Sequence, residues 1–162
     1  LSHTDPLTGL WNRARLDEAL LQSLALSQRS GQASAILLID LDHFKQVNDS
    51  HGHAAGDQAL EHVANLLREA LRGMDVVARL GGEEFCLLLS DTDGERAFAV
   101  ADKLRYKLEE SPLHFAGAEV VLTLSGGVAE YGVDGERLDD LSRIADRKLY
   151  RAKADGRNRI LR

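Results

Sequence analysis

Asp40 ends a short apolar run, Ala35-Ile36-Leu37-Leu38-Ile39, and two more acids, Glu83 and Glu84, follow the pair Gly81-Gly82. Glycines let a turn approach other backbone closely, so strand-end and turn carboxylates of this kind can meet at one edge of a sheet. Hard oxygen ligands hold magnesium, usually as one or two carboxylates completed by substrate phosphates. The residues alone leave a second reading open, in which Asp40 ends a strand, Asp42 caps a short helix beginning near His43, and the glutamates form a solvated turn.

The segment from Phe44 to Asp57 crowds polar groups around small residues. The amide of Asn48 and the carboxylate of Asp57 have the donors and acceptors to read a guanine edge, and Lys45 can act as a point charge on a phosphate. The same residues would also serve simply to shape a helix-to-helix loop. A zinc site from His51, His53 and Asp57 is disfavoured, because no further His or Cys stands nearby at structural-zinc spacing. Lys153 and Arg157 fall at the end of a helical pattern, where positive charge suits the helix dipole whatever the function. Arg72 and Asp75, three apart before a strand, read most simply as a local ion pair.

The elements that must position these residues follow from hydrophobic periodicity. Leu16, Ala19, Leu20 and Leu24 place a helix over residues 12–30, ended by Gly31. The run 35–39 suits a central strand buried on both faces. A longer helix carries Leu60, Val63, Ala64, Leu67, Ala70 and Leu71. Runs 76–80 and 85–89, separated by Gly81-Gly82-Glu83-Glu84, read as a hairpin. A helix with Ala97, Val100, Ala101, Leu104 and Leu108 follows, then a strand over 120–129 containing Gly126-Gly127. A last helix bears Leu138, Leu141, Ile144, Ala145 and Leu149, and Asn158 to Leu161 form a closing strand. This order lacks the strict alternation of a doubly wound parallel sheet, so an α+β fold with an antiparallel sheet and packed helices is expected.

At 162 residues with 44% apolar content, the chain has the size of one domain, residues 1–162. Its net charge of −6 argues against a protein that grips a nucleic-acid polymer through its overall field, whereas a nucleotide bound through metal ions is compatible with it. No apolar stretch is long enough to span a membrane, so no membrane contact by this domain is expected. A single cysteine, Cys86, excludes an intrachain disulfide and fits a reducing compartment. The start at Leu1 suggests the C-terminal part of a longer signalling protein.

Four segments in register resemble the GGDEF family of diguanylate cyclases. Asp5-Pro6-Leu7-Thr8-Gly9-Leu10 with Asn12-Arg13 resembles its opening motif, and Asp40-Leu41-Asp42-His43-Phe44-Lys45 through Asn48-Asp49, Gly52-His53 and Gly56-Asp57 its nucleotide-binding stretch. Gly81-Gly82-Glu83-Glu84-Phe85 is similar to the Glu variant of the signature, and Tyr150-Arg151-Ala152-Lys153 with Gly156-Arg157-Asn158 to the closing motif. The resemblance implies a five-stranded, mainly antiparallel sheet flanked by helices, a palm-like nucleotidyl cyclase fold with a ferredoxin-like core. It implies that Asp40, Glu83 and the main-chain oxygen of Leu41 hold magnesium or manganese, two ions per half-site, with Glu84 close to the metals. Asn48 and Asp57 would recognise guanine with His53 nearby, and Phe44, Lys45, Lys153 and Arg157 would hold the triphosphate. Glu83, Glu84 and Lys45 are then the catalytic candidates.

The implied reaction joins two GTP molecules into cyclic di-GMP across a homodimer of domains, in the cytoplasm, with a membrane anchor elsewhere in the parent protein left open. Arg72 and Asp75 match the family's product-inhibition pattern, with the helix bearing Lys103 and Arg105 as a candidate second anchor. Two other readings stand beside the active cyclase: a module that binds GTP or cyclic di-GMP without making it, and a cyclase for an adenine-containing dinucleotide. The retained acids favour activity, and Asp57 favours guanine.

Overall fold

Alternation governs the central strand. In the computed structural model, which describes residues 2–162, α1 (Arg13–Ser30) leads into β1 (Ser34–Leu41). Ala35, Leu37, Ile39 and Leu41 face one buried cluster, while Ile36 and Leu38 face the other. Side chains of a strand point alternately to opposite faces, so a continuous apolar run must be covered on both sides. α2 (Phe44–His51), α3 (His53–Glu69) and α4 (Gly94–Glu109) contribute to the first cluster. α1 and α5 (Leu138–Ala154) close the second.

The remaining strands are β2 (Val76–Gly81), β3 (Glu84–Ser90), β4 (Leu113–Phe115), β5 (Ala118–Val120), β6 (Leu124–Glu130) and β7 (Ile160–Leu161). Four of them join β1 in a five-stranded sheet in the order β2-β3-β1-β6-β7, antiparallel except for the β6 and β7 pair. This is the expected α+β architecture, with β1 at its centre. Among the described residues, no helix is long and apolar enough to cross a membrane.

Two expectations need correction. The strand expected over 120–129 is two strands, because residues 121–123 leave the ladder and the Thr123 carbonyl accepts the Asp42 N–H at 2.9 Å. β4 and β5 pair in a separate hairpin whose turn residues, Ala116 and Gly117, both have positive φ. Such turns are usually announced by Asn-Gly or Asp-Gly, which is why Ala-Gly passed unnoticed. Asp42, in turn, does not cap the following helix. His43, in the left-handed conformation, precedes Phe44, and no side chain caps that end.

Cys86 is buried in the second cluster, and burial pushes its thiol up to about 12. It is a small core hydrophobe with no thiolate at neutral pH.

Candidate functional site

The glycine pair on β6 determines how closely α5 can lie on the sheet. A Cβ at Gly127 would overlap the backbone of Ala145 and Leu149, and one at Gly126 would press on Ile160 and the Leu38 carbonyl. Seated there, α5 is pinned by Lys148, whose ammonium donates to the Val128 carbonyl at 2.7 Å. Its last turn then brings Lys153 Nζ within 2.8 Å of Asp40 Oδ2.

The signature turn reaches the same point from the other side. Gly82, the first of two turn residues between Gly81 and Glu84, has φ +51, a conformation glycine adopts without steric cost. A register shift between Arg79 and Gly81 marks a bulge, a feature that re-aims side chains beside functional sites. Glu84 then pairs with Asp40 across the ladder, and the Glu83 carbonyl accepts the Leu41 N–H at 3.1 Å. Arg79 ties this turn to the start of the chain: it donates to the Gly82 carbonyl at 2.9 and 3.0 Å and to the Asp5 carboxylate at 3.1 and 3.2 Å. Asp5 also accepts the N–H and hydroxyl of Thr8. Sequence reasoning missed Arg79, although its place two residues before the glycine pair was a usable signal.

Asp40 is only 5% exposed. Burial pushes its carboxyl up to about 6; Lys153 opposes the rise through its hydrogen bond and charge, and Glu83 and Glu84 add to it by repulsion. Three carboxylates thus act on one locality with a lysine ammonium as partial counter-charge, a setting that a hard divalent cation would relieve. Among the described residues, no three His, Cys, Asp or Glu side chains form a ready-made metal cluster. Magnesium takes one or two carboxylates and completes its shell with phosphates and water. The zinc set weighed from His51, His53 and Asp57 is not found as such a cluster.

The segment expected to read a base is a tight helical corner, with Gly52 alone between α2 and α3. A Cβ at Gly56 would overlap Asn48 Oδ1 and crowd the Phe44 ring, so glycine is what lets the Asn48 amide lie across the start of α3. Phe44 and Asn48 are half-buried, while Lys45, His53 and Asp57 are exposed. Asn48 therefore has a fixed place, and Asp57 stands exposed on the second turn of α3 with room to meet a ligand.

Arg72 and Asp75 do not form the expected ion pair. Asp75 accepts backbone N–H groups instead, from Arg72 at 3.2 Å and Ser90 at 3.0 Å. The Arg72 guanidinium is exposed, with no ion pair or hydrogen bond among the described residues. It borders two hollows: one of about 470 Å³ shared with Leu26, Met74, Asp75 and Arg96, and one of about 420 Å³ shared with Val100, Lys103 and Lys107. Lys103 thus remains a neighbour of Arg72. Arg105 does not, being held by Asp102 at 2.7 Å and Asn158 at 3.1 Å.

Comparison with known proteins gives one consistent result. The family model described as diguanylate cyclase, GGDEF domain, matches residues 2–159. Diguanylate cyclase DgcP of Pseudomonas aeruginosa is 43% identical over 157 residues, covering 97% of this chain and 23% of that protein. Cyclic di-GMP phosphodiesterase NbdA of the same organism is 41% identical, covering 98% of this chain and 20% of that protein. The chain therefore spans less than a quarter of either relative. Among solved structures, the GGDEF domain of DgcB from Caulobacter crescentus in complex with c-di-GMP superposes with a TM-score of 0.92 at 29% identity, covering 99% of this chain and 95% of that one.

Proposed function

This chain belongs to the GGDEF-domain diguanylate cyclase family, and from that premise we propose that it condenses two GTP molecules into cyclic di-GMP and two pyrophosphates. The observation that carries the reading is the convergence of β1, the signature turn and α5 on one point, with Asp40 paired to Glu84 and 2.8 Å from Lys153. Asp40, Glu83, Glu84 and the Leu41 carbonyl are the groups that would hold magnesium or manganese, two ions per half-site. Bound there, the ions would acidify the attacking hydroxyl and neutralise charge on the leaving pyrophosphate.

The chain's own residues supply orientation and charge. Asn48 and Asp57, with His53 nearby, read the guanine edge. Phe44, Lys45 and the backbone between them seat the triphosphate. Lys153 pairs with Asp40, and its flexible stem can turn to a phosphate once Asp40 has another counter-charge. Arg157 assists from the turn beyond α5. The 3′-oxygen of each GTP bonds to the α-phosphorus of the other, the bond from that phosphorus to the pyrophosphate oxygen breaks, and Glu83 takes up the hydroxyl proton. One domain holds one GTP, so two copies must face each other, and specific activity rises with protein concentration. Arg72 and Asp75, with Lys103 of a second copy, would bind the product. A substrate supplied by the cytoplasm puts this domain there.

A second reading has one observation in its favour. The phosphodiesterase NbdA contains a segment nearly as similar to this chain as that of DgcP, 41% against 43% identical, and such a segment can serve as a GTP- or cyclic di-GMP-binding module. The two readings part on whether the wild-type chain makes cyclic di-GMP from GTP and magnesium, and Glu83→Ala tests the metal assignment. In the cyclase, this variant remains folded and loses cyclic di-GMP synthesis by more than about a hundred-fold, since it removes a metal carboxylate and no core side chain. Near-normal turnover in the folded variant would sink the metal assignment.

A further inference from the structure

The turn after α5 runs through three successive residues of positive φ, of which Arg157 is the one unsuited to that conformation. Gly156, Arg157 and Asn158 have φ of +122, +65 and +46. A left-handed backbone is uncommon for any residue with a Cβ, and consecutive instances persist only where the surroundings over-determine them.

The surroundings do so from two sides. Asp42, buried next to the end of β1, accepts the Asn158 N–H at 2.9 Å while also accepting the hydroxyls of Thr123 at 2.8 Å and Ser125 at 2.7 Å. From α4, Glu109 accepts the Asn158 side-chain NH₂ at 2.8 Å, and Arg105 donates to the Asn158 Oδ1 at 3.1 Å. Every polar atom of the Asn158 side chain is engaged. Arg157, one residue earlier, is exposed and its guanidinium makes no hydrogen bond or ion pair among the described residues. A gripped turn thus presents one uncommitted cation just past the end of α5, the helix whose last turn carries Lys153 to Asp40.

We propose that Asp42, Asn158 and the α4 pair Arg105 and Glu109 are positioning residues that fix the Arg157 guanidinium for the terminal phosphates of the nucleotide. The proposal rests on the reading that Arg157 meets the triphosphate. It assigns the second acid of the Asp40-Leu41-Asp42 run a task unlike that of the first. Asp42 is spent on two hydroxyls and a backbone N–H, and it acts on the nucleotide only through the turn.

The test measures binding of two magnesium-containing nucleotides: the α,β-methylene analogue of GTP, which cannot release pyrophosphate, and GMP, which keeps the base and lacks the outer phosphates. Arg157→Ala is the control for the underlying reading. If it leaves the preference for the triphosphate analogue intact, the phosphate assignment itself fails. Given that the control lowers the preference, two variants outside the nucleotide contacts decide the relay. Asn158→Gly keeps a residue suited to positive φ but removes the gripped amide, and Glu109→Ala removes one grip from α4. Each is expected to weaken the triphosphate analogue about ten-fold with GMP unchanged, the kind of loss that misplacing a binding group produces. Asp42→Asn is expected to lose more. An unchanged preference in folded Asn158→Gly and Glu109→Ala would overturn the proposal, as would equal weakening of both nucleotides, which marks a merely structural role. Should Asp42→Asn fail to fold, these two variants still decide it.

Discussion

Two acid-and-base pairs in this domain invert what their sequence spacing suggests. Asp40 and Lys153 lie far apart in the chain, yet the fold brings them to 2.8 Å in a buried setting. Arg72 and Asp75 are three residues apart on an exposed turn and do not pair, because Asp75 is spent on two backbone N–H groups. In the first case, glycines on β6 let a helix close on the sheet and force a charge pair whose carboxylate is buried and whose ammonium is partly exposed. In the second, backbone donors that would otherwise lack a partner claim the carboxylate, and the guanidinium is left for a ligand. Proximity in sequence is thus a poor guide to which charges are structural and which are available.

The largest effects should come from breaking the first pair. Asp40→Asn is expected to lower cyclic di-GMP synthesis by more than about a hundred-fold. It should also stabilise the metal-free domain at neutral pH. The folded carboxyl titrates near 6 against an ordinary value of 3.8, so between those values the folded state binds the extra proton. Stability of the metal-free wild type therefore falls as pH rises from about 4 to about 6 and stays reduced above that. Asparagine carries no such penalty, so thermal unfolding at pH 7.5 in chelator should show Tm raised by a few degrees, roughly the shift that 1 to 2 kcal/mol produces in a domain of this size. An unchanged or lower Tm would mean that Lys153 more than offsets the burial of the charge.

The second pair should respond more gently, and its two members differently. Asp75→Ala removes the acceptor of two backbone N–H groups and should lower Tm by a few degrees, corresponding to about 1 to 2 kcal/mol. Arg72→Ala should leave Tm within experimental error and raise the cyclic di-GMP concentration needed for half-inhibition several-fold. Equal inhibition of the two proteins would leave the Arg72 hollows without a product role.

Much of this arrangement was legible from the chain. The apolar run 35–39, the hairpin around Gly81-Gly82 and the helices bearing Leu60, Leu104 and Leu141 announce themselves by periodicity, which depends on burial alone. The acids at the ends of those elements followed from their positions. What escaped were tasks set by partners far along the chain. Asp42 looked like a helix cap, since a strand-end Asp before a helix usually is one, yet Thr123, Ser125 and Asn158 claim it. Gly126-Gly127 was visible as a pair but not as the seat of α5, and the place of Arg79 before the glycine pair did not say that it would bridge Asp5 to the Gly82 carbonyl. Residue type limits what a side chain can do, and only the fold decides for whom.

The most direct test of the account is chromatography of the products after incubating the chain with GTP and magnesium at high protein concentration. The account expects cyclic di-GMP and pyrophosphate in a ratio of about one to two, as joining two triphosphates with loss of both leaving groups requires, and it expects both to vanish when magnesium is chelated. GTP recovered intact, although bound and in the presence of magnesium, would contradict the cyclase and leave the binding module.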